Sequence, residues 1–493
     1  MNGYCTNFKI MFFLIFLFGF LGLGKSSLAA TYYISANGND NDPGTQAKPW
    51  QSLWKVTSTP FAPGDTVLFN RGDAFAGNLT PATCGTAGNP ISFGAYGSGS
   101  RPVIDASGQI AGISIYSKAY LIFQDLEIRN GDTYGIWFVY GNNNMTVNGV
   151  KLSNNGRNGM HIADYGASGG MVVNSNFVIK NSIVDHNSGS GLAVGSLANT
   201  LIQGNITTYN CQSLTCGDSC TYCGGIRLTN TTSENTIIEN NESAYNTNGA
   251  GIWVDFNAPG EIVRYNKVHH NVVGIYNEIT SGSLIYGNVS YDNGTGIWVS
   301  GREGGPPYNG PAIGNKVLNN TVYHNSSWGI LLQNDDGIQG NCTDNVIQNN
   351  IVWGTTVGPN LRVGGAAENE HNIIEHNSFG AEVTNMFEIG WGVYQSTYTS
   401  LNSWYGQSTN SIKANSIFVN YAGGDLSLTS SSPGINAGFN LGTPFNLSLS
   451  NTTVWPNSIS LVDRGSAWDI GAYEYVPSGN TTPPAAPTGL SVN

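Results

Sequence analysis

The stretch NGAGIWVDF at residues 248–256 returns in altered form as VVGIYNEI at residues 272–279 and as NGTGIWVSG at residues 293–301. Each copy keeps a glycine, an isoleucine and an aromatic residue in a row, and the positions that follow them vary. Units of glycine followed by hydrophobic residues start at 135, 159, 191, 225, 251, 274, 296 and 329, and the shortest intervals between them are 22, 23 and 24 residues. A fixed period in this range indicates a solenoid, in which each repeat supplies one turn of the fold.

Asparagine recurs with the same period in two columns. The first column comprises Asn181, Asn205, Asn241, Asn266, Asn288, Asn320, Asn350 and Asn377. The second column comprises Asn155, Asn187, Asn210, Asn246, Asn271, Asn293 and Asn325. Asparagine tolerates left-handed backbone geometry and bonds to nearby backbone groups. We therefore predict that the asparagines of each column stack at one turn of every coil and bond to one another.

A unit of about 22 residues that holds three short strands and three turns is one coil of a parallel β-helix. Leucine-rich repeats have a similar period, but their Leu/Asn consensus and helical segment are absent here. A β-propeller needs a longer repeat with four strands per blade. The sequence therefore predicts an all-β parallel β-helix with coils of 22–24 residues in its regular part.

The two ends of the chain resemble a known group. TYYISANGNDNDPGTQAKPWQSLWKV at residues 31–56 and FAPGDTVLFNRGD at residues 61–73 resemble the N-terminal cap of secreted right-handed β-helix proteins of the pectate lyase-like superfamily. The ending, with SPGINAG and DRGSAWDIGAYEY, is similar to a closing motif of that group. The resemblance implies a right-handed coil, but it implies no single activity, since the superfamily contains lyases, hydrolases, epimerases and non-catalytic proteins. No catalytic signature of the pectate lyase or polygalacturonase families is present.

Composition and motifs set the expected domain organisation. Residues 1–30 predict a secretory signal peptide, with Lys9 before an apolar run and small residues at the cleavage point. The β-helix is expected over 31–476, with the N-terminal cap and first coils at 31–105, regular coils at 106–380 and C-terminal coils and cap at 381–476. Residues 477–493 form a Pro-rich linker or tail. We expect an extracellular monomer, and a net charge of −12 disfavours nucleic acid or an anionic membrane as partner.

The mature chain keeps six cysteines, four of them within CQSLTCGDSCTYC. In an oxidising compartment such a cluster favours disulfides. A zinc site is the weaker alternative, because the spacing lacks a second Cys-x-x-Cys pair. We therefore expect two local disulfides among Cys211, Cys216, Cys220 and Cys223.

The residues that follow each Gly-Ile pair predict a substrate surface. Side chains alternate between the faces of a strand, so the third and fifth positions of the Gly-Ile-x-Val unit point outward. In the third position Trp253, Tyr276 and Trp298 follow one another on successive coils, and Trp137 lies earlier in the same column. Such rings could stack against a sugar chain. The alternative is that they pack beneath long loops or pair across strands.

The fifth position places Asp255 and Glu278 on adjacent coils. Two like charges side by side destabilise a sheet, so folding alone does not explain the pair. Proximity should raise the pKa of one carboxyl and leave an acid and a base. This is the minimum equipment for glycoside hydrolysis. The alternatives are a calcium ion held by the pair and a turn that directs Asp255 elsewhere.

Further polar residues lie along the same face. Arg227 could hold a uronate carboxylate or a sugar hydroxyl, or could form a salt bridge to Asp218 or Asp255. His161, close to Asp164, could act as a base, although an exposed histidine is more often only solvated. Arg302 could close the far end of the groove.

Three hypotheses about function follow. The first is hydrolysis of an extracellular polysaccharide by Asp255 and Glu278, with no cofactor required. On this view an aromatic and acidic surface suits a neutral glycan and repels a polyuronate. The second is a polysaccharide lyase acting on a uronate-containing glycan. On this view Arg227 and a calcium ion held by Asp255 and Glu278 could provide the cation, and His161 or a tyrosine the base. The third is a non-catalytic glycan-binding or surface protein.

Overall fold

The structure is a computed structural model of the 493-residue chain. It describes residues 29–166, 170–213, 223–229, 235–256, 259–302, 310–333, 342–364, 371–390, 392–405, 410–456 and 458–477. Residues 1–28 of the predicted signal peptide, the tail from residue 478, and Cys216 and Cys220 lie outside the described residues.

Three long sheets form the helix over residues 31–395, and each complete coil passes through them in the order A, B, C. Sheet A contains Thr31–Ile34, Thr66–Asn70, Ile91–Tyr96, Ala119–Gln124, Asn143–Asn148, Asn174–Lys180, Leu201–Gln203, Ile237–Glu239, Ile262–Arg264, Leu284–Tyr286, Lys316–Leu318, Val346–Gln348 and Ile373–Glu375, with Leu197–Ala198 beside the sixth strand. Sheet B contains Ala74–Ala76, Val103–Asp105, Glu127–Arg129, Lys151–Ser153, Ile183–Asp185, Ile206–Thr208, Glu242–Ala244, Lys267–His269, Val289–Tyr291, Thr321–Tyr323 and Ile351–Trp353.

Sheet C carries the Gly-Ile-x-Val units. It contains Ala111–Tyr116, Tyr134–Val139, Asn158–Ile162, Leu192–Gly195, Gly224–Thr229, Ala250–Asp255, Val273–Glu278, Thr295–Ser300, Trp328–Gln333, Leu361–Gly364, Phe387–Ile389 and Tyr394–Gln395. Its strands pair in parallel except for the last, which is antiparallel to its neighbour. This arrangement is the predicted parallel β-helix.

The core of the coil is built by the inward positions of the three sheets. Ile252, Ile275 and Ile297 occupy the same position on successive coils and are fully buried. Phenylalanines fill the wider first coils, where Phe93 and Phe123 stack with ring centroids 5.2 Å apart. Because no single coil can bury these side chains, the coils are stable only when stacked.

Asparagine ladders hold the coils in phase at two corners. The first ladder, between sheets A and B, runs through Asn205, Asn241 and Asn266, and each Nδ2 donates to the Oδ1 of the next, at 3.0 Å for both pairs. The second ladder, between sheets B and C, continues from Asn246 to Asn271 in the same way, at 2.9 Å. These buried amides satisfy the backbone groups of each turn and fix the register of neighbouring coils.

The prediction that Asn181 belongs to the first asparagine column is wrong. Asn181 is exposed with φ of 52°, and the ladder position in its coil belongs to the next residue, Ser182, whose backbone N–H donates to Asn205. Asn181 instead donates to the Asn148 side chain on the surface. The column was displaced by one residue because asparagine suits both the left-handed turn position and the buried position beside it.

The segment after residue 410 packs on the outside of the helix. It includes the small sheets Phe418–Asn420 with Asp425–Leu428, and Leu447–Ser450 with Leu461–Asp463 and Tyr473–Glu474, and the 3₁₀ turn Tyr421–Gly423. Its apolar residues form a second buried cluster with outward tyrosines of sheets A and B, and the Tyr265 hydroxyl donates to the carbonyl of Leu447 at 3.1 Å. This packing covers parts of sheets A and B rather than sheet C.

Two short helices lie at the ends of the coil, at Leu53–Ser58 and Tyr398–Tyr405. Ser52 caps the first, its hydroxyl accepting from the Lys55 N–H at 3.2 Å. Within the described ranges, neither helix approaches the length and apolar character that crossing a bilayer requires.

We predict that Asn266→Ala strongly destabilises the protein. The substitution leaves the Ile238 and Arg264 carbonyls and the Asn241 amides without their buried partner. Unsatisfied buried groups cost about 1–3 kcal/mol each, so the free energy of unfolding in urea should fall by about 3 kcal/mol or more.

Asn181→Gly is the matched control, because glycine accepts the left-handed turn and the side chain is exposed; its effect should stay within about 0.5 kcal/mol. Equal effects of the two substitutions would contradict the role of the ladder.

Candidate functional site

The outward third positions of sheet C form one continuous column. Trp137 pairs with His161, His161 with Ala193, and Ala193 with Arg227. Arg227 then pairs with Trp253, and the column continues through Tyr276 to Trp298. Residues 22 to 34 apart in the chain are therefore lateral neighbours on one wall, as the repeat of the Gly-Ile-x-Val unit indicates.

The aromatic part of the column is a stack of rings. Trp253 and Tyr276 lie with centroids 5.3 Å apart, and Tyr276 and Trp298 lie 4.5 Å apart. The Arg227 guanidinium sits 4.6 Å from the Trp253 ring centre. Trp253 is only 5% exposed and Tyr276 only 8%, whereas Trp298 is half-buried. Since the rings of Trp253 and Tyr276 face their neighbours, a sugar chain could meet their edges or Trp298 at the end of the stack.

Asp255 and Glu278 are register partners on adjacent coils. Each also faces an arginine: Arg227 Nη2 lies 2.9 Å from Asp255 Oδ2, and Arg302 Nη1 lies 3.6 Å from Glu278 Oε1. The pKa of Asp255 is raised, and the cause is burial of the carboxyl, which the charge and hydrogen bond of Arg227 oppose. The expected direction is found for Asp255, but with burial as its cause.

The arginines change the electrostatic argument drawn from the sequence. Arg227 and Arg302 offset the negative charge of Asp255 and Glu278, so this wall does not repel a polyuronate as an isolated acidic pair would. A calcium ion held by the same two carboxylates would lie beside two guanidinium groups, which is an unfavourable donor set. Within the described residues, no group of three or more His, Cys, Asp or Glu side chains is arranged to hold a metal ion.

A polar cavity of about 130 Å³ opens in the column between His161 and Arg227. Its walls include Arg157, His161, Asp164 and Arg227. The space exists because the coil between them contributes only small residues, Ala193 and Gly195 among them. At about 30 Å³ for each water, the cavity has room for a carboxylate and part of one sugar ring.

His161 is held in this cavity as a neutral imidazole. Its ring stacks on Tyr134 at 4.9 Å with an interplanar angle of 14°. Burial lowers the pKa of His161 to about 4, and the positive charge of Arg157 adds to the effect while Asp164 opposes it. Among the described residues its buried Nδ1 has no hydrogen-bond partner. The imidazole is therefore not protonated near neutral pH and could accept a proton.

Other aromatic residues extend the surface on the N-terminal side of the cavity. Trp137 is half-buried and lies 5.4 Å from Tyr134 and 6.0 Å from the partly exposed Tyr116. Tyr165, also exposed, follows the strand of His161. These rings offer sugar-sized apolar contacts close to the polar cavity.

Arg157 and the cavity itself were not found from the sequence. Arg157 precedes its strand and lies outside the outward columns, so the alternation of side chains does not indicate where it points. One signal for the cavity was present in the sequence. The outward positions of one coil hold only small side chains, Ala193 and Gly195, which leaves a gap between the larger polar residues His161 and Arg227.

A disulfide joins Cys211 and Cys223, with Cα atoms 6.0 Å apart. Cys223 immediately precedes the strand that carries Arg227, so the bond anchors the start of that strand. One disulfide of the predicted cluster is thus present, and its other two cysteines lie outside the described residues.

The comparisons with known proteins agree with this architecture. Residues 32–304, more than half of the chain, match the family described as Pel9A-like, right handed beta helix region, and the chain belongs to this family. The match confirms the right-handed parallel β-helix and the resemblance to the pectate lyase-like superfamily.

Particular relatives are distant. Uncharacterized protein YwoF of Bacillus subtilis strain 168 is 26% identical over 447 residues, covering 81% of this chain and 91% of that protein. The structure of XylC with xylose is similar with a TM-score of 0.56 at 10% identity, over 74% of this chain and 85% of that one. The structure of pectate lyase Pel9A has a TM-score of 0.45 at 16% identity, over 91% and 97% of the two chains.

We predict that Arg227→Met destabilises the protein in a pH-dependent manner. Without the guanidinium, Asp255 remains as a buried carboxylate whose pKa rises further. A carboxyl with a raised folded-state pKa favours folding least above that pKa, so the deficit relative to the wild type should be about 3 kcal/mol at pH 7 and should shrink towards pH 4. Urea unfolding at the two pH values measures it.

The control is the double variant Arg227→Met/Asp255→Asn, which removes the orphaned charge and should recover most of the loss at pH 7. An equal deficit of the single variant at both pH values would show that the ion pair is not its cause.

Proposed function

We propose that this protein is a secreted polysaccharide lyase that cleaves a uronate-containing glycan by β-elimination at the cavity between His161 and Arg227. The observation that carries the proposal is the convergence of two arginines and a neutral histidine in that one cavity. Elimination requires a cation to bind the carboxylate and a base to remove the proton beside it, and these are the groups that line the cavity walls.

The steps balance with these groups alone. Arg157 and Arg227 bind the uronate carboxylate and stabilise the negative charge that develops on it when the C5 proton leaves. His161 accepts that proton. The electron pair forms the C4–C5 double bond as the C4–O bond breaks, and the leaving oxygen takes a proton from water. No hydrolytic water and no metal ion takes part.

Substrate binding should itself improve the base. Arg157 contributes to the low pKa of His161 in the free protein. A bound carboxylate offsets the arginine charges, which raises the pKa of the imidazole towards its ordinary value and makes it a stronger proton acceptor. The cavity therefore keeps His161 neutral before binding and activates it after binding.

Membership of a family named for Pel9A supports the proposal, because Pel9A is named a pectate lyase. The predicted signal peptide supports an extracellular location, where polysaccharide substrates occur. The aromatic rings beside the cavity supply apolar contacts for neighbouring sugar residues.

A second candidate is glycoside hydrolysis by Asp255 and Glu278. The specific observation in its favour is the raised pKa of Asp255, which suits a general acid, beside a carboxylate on the next coil. The arginine contacts of both carboxylates weaken it, since they tie the groups to structural ion pairs.

We predict that the protein releases a product with the ultraviolet absorbance of an unsaturated uronate from polygalacturonate or alginate. His161→Gln should lower kcat by a factor of about 10²–10⁴, the usual contribution of a general base. The pH profile of kcat/KM should fall on the acidic side with a midpoint at about 4, the pKa of His161 in the free protein, rather than near 6.5.

Glu278→Gln distinguishes the two candidates. A lyase acting at His161 should lose less than about tenfold, whereas a hydrolase should lose about 10²–10⁴. New reducing ends without ultraviolet absorbance, abolished by Glu278→Gln, would replace the lyase by the hydrolase.

A further inference from the structure

The corner between sheets B and C carries a row of large polar side chains that folding alone does not require. The row, which we call the corner row, holds one residue from each of six successive coils: His186, Tyr209, Tyr245, His270, Asp292 and His324. All six have left-handed backbone, with φ between 53° and 57°. This conformation costs bulky residues about 1 kcal/mol or more, and glycine or asparagine adopts it more readily.

The corresponding corner between sheets A and B shows what the turn itself prefers. There the left-handed position is filled by Asn181, Gly204, Asn240, Gly287 and Asn319. Its exception, Tyr265, bonds to the C-terminal segment. No described segment covers the corner row in this way, since His186, Tyr209, His270 and His324 are 41–55% exposed.

The side chains of the corner row contact one another from coil to coil and form one continuous row of polar groups. His186, Tyr209, Tyr245 and His270 stack in sequence, with centroids 5.1, 4.9 and 4.6 Å apart. The next two residues continue the row through a bond of 2.6 Å between His324 Nδ1 and Asp292 Oδ1. Parallel strands advance by about 4.8 Å per coil, close to the length of one sugar residue, so the row presents about one polar edge per sugar over roughly 24 Å.

A groove of about 830 Å³ runs beside the C-terminal part of the corner row. One wall is the corner row from Tyr245 to His324, and the floor includes the buried ladder amides Asn271 and Asn293. On the other side lie Thr247, the exposed Val272 and Ser326. The groove thus combines hydrogen-bonding edges, an apolar contact and a floor of buried amides that bond to each other, which suits a sugar chain.

We propose that this corner groove binds a second stretch of the polysaccharide, one sugar per coil, through its hydroxyl groups. The inference rests on the proposed function for the nature of the ligand. Hydroxyl recognition follows from these contacts: Asp292 is paired with His324, and burial and the neighbouring His269 lower the pKa of His270, which disfavours its charged form. The groove begins at Tyr245, one coil after the coil of Tyr209 and Arg227. A chain that continues from the groove along the corner row towards His186 therefore reaches the coils that line the cavity.

The test replaces Tyr209, Tyr245, His270 and His324 by asparagine, which fits the left-handed turn and restores the chemistry of the other corner. Binding to long-chain polygalacturonate, alginate and xylan is measured by affinity electrophoresis and calorimetry. We expect the asparagine variant to bind the polymer recognised by the wild type at least tenfold more weakly, with a melting temperature close to that of the wild type. Cleavage of the shortest oligosaccharide substrate should change by less than about twofold.

A milder variant, Tyr209→Phe/Tyr245→Phe, keeps the ring stack and removes two hydroxyls, and should show a smaller loss in the same direction. His161→Gln separates this inference from the proposed function: it should lose cleavage but keep polymer binding, because it leaves the ion pair of Arg227 and Asp255 intact. Unchanged polymer affinity in the asparagine variant, or no binding of any of the three polymers by the wild type, overturns the groove. If the wild type binds a polymer through the corner row but cleaves none of the three, the proposed lyase activity is wrong. The proposal that the corner groove binds a polysaccharide then still stands.

Discussion

Hydrogen bonds between asparagines of successive coils hold the β-helix in phase, and every functional feature of its surface depends on that phase. At each corner the Oδ1 of one asparagine accepts from both the backbone N–H and the Nδ2 of the preceding one, as Asn266 does for Asn241. A shift of one residue would turn each outward side chain of sheet C into the core. The ladders therefore convert a chain period into columns of side chains at a spacing of about 4.8 Å.

Electrostatics on the sheet C wall is dominated by arginine. The overall charge of the chain is −12, but Arg227 and Arg302 sit directly against Asp255 and Glu278, and Arg157 joins Arg227 at the cavity. Arg227 has two structural contacts, with Asp255 and with the Trp253 ring, that orient its guanidinium. A site for an anionic sugar can thus exist on an acidic protein, because the nearest charges decide local recognition.

The parts of the fold that depend on chain period could be predicted from the sequence. The alternation of the Gly-Ile-x-Val unit places Trp253, Tyr276 and Trp298 on one outward column and makes Asp255 and Glu278 register partners. The exception of Asn181 arises where two adjacent positions accept the same residue type. The period does not determine the direction of long side chains. The sequence therefore left open whether Arg227 binds substrate or pairs with an aspartate, and whether Trp253 and Tyr276 are exposed or buried. The cavity could not be predicted for two reasons. It arises where the small side chains of Ala193 and Gly195 leave space, and one of its lining residues, Arg157, lies outside the outward columns.

The most direct test of the account is a crystal structure of the His161→Gln variant soaked with a uronate oligosaccharide. The account predicts a uronate carboxylate between Arg157 and Arg227, with its C5 carbon facing the side chain at position 161. An oligosaccharide lying along Asp255 and Glu278, with no contact to either of those arginines, would contradict it.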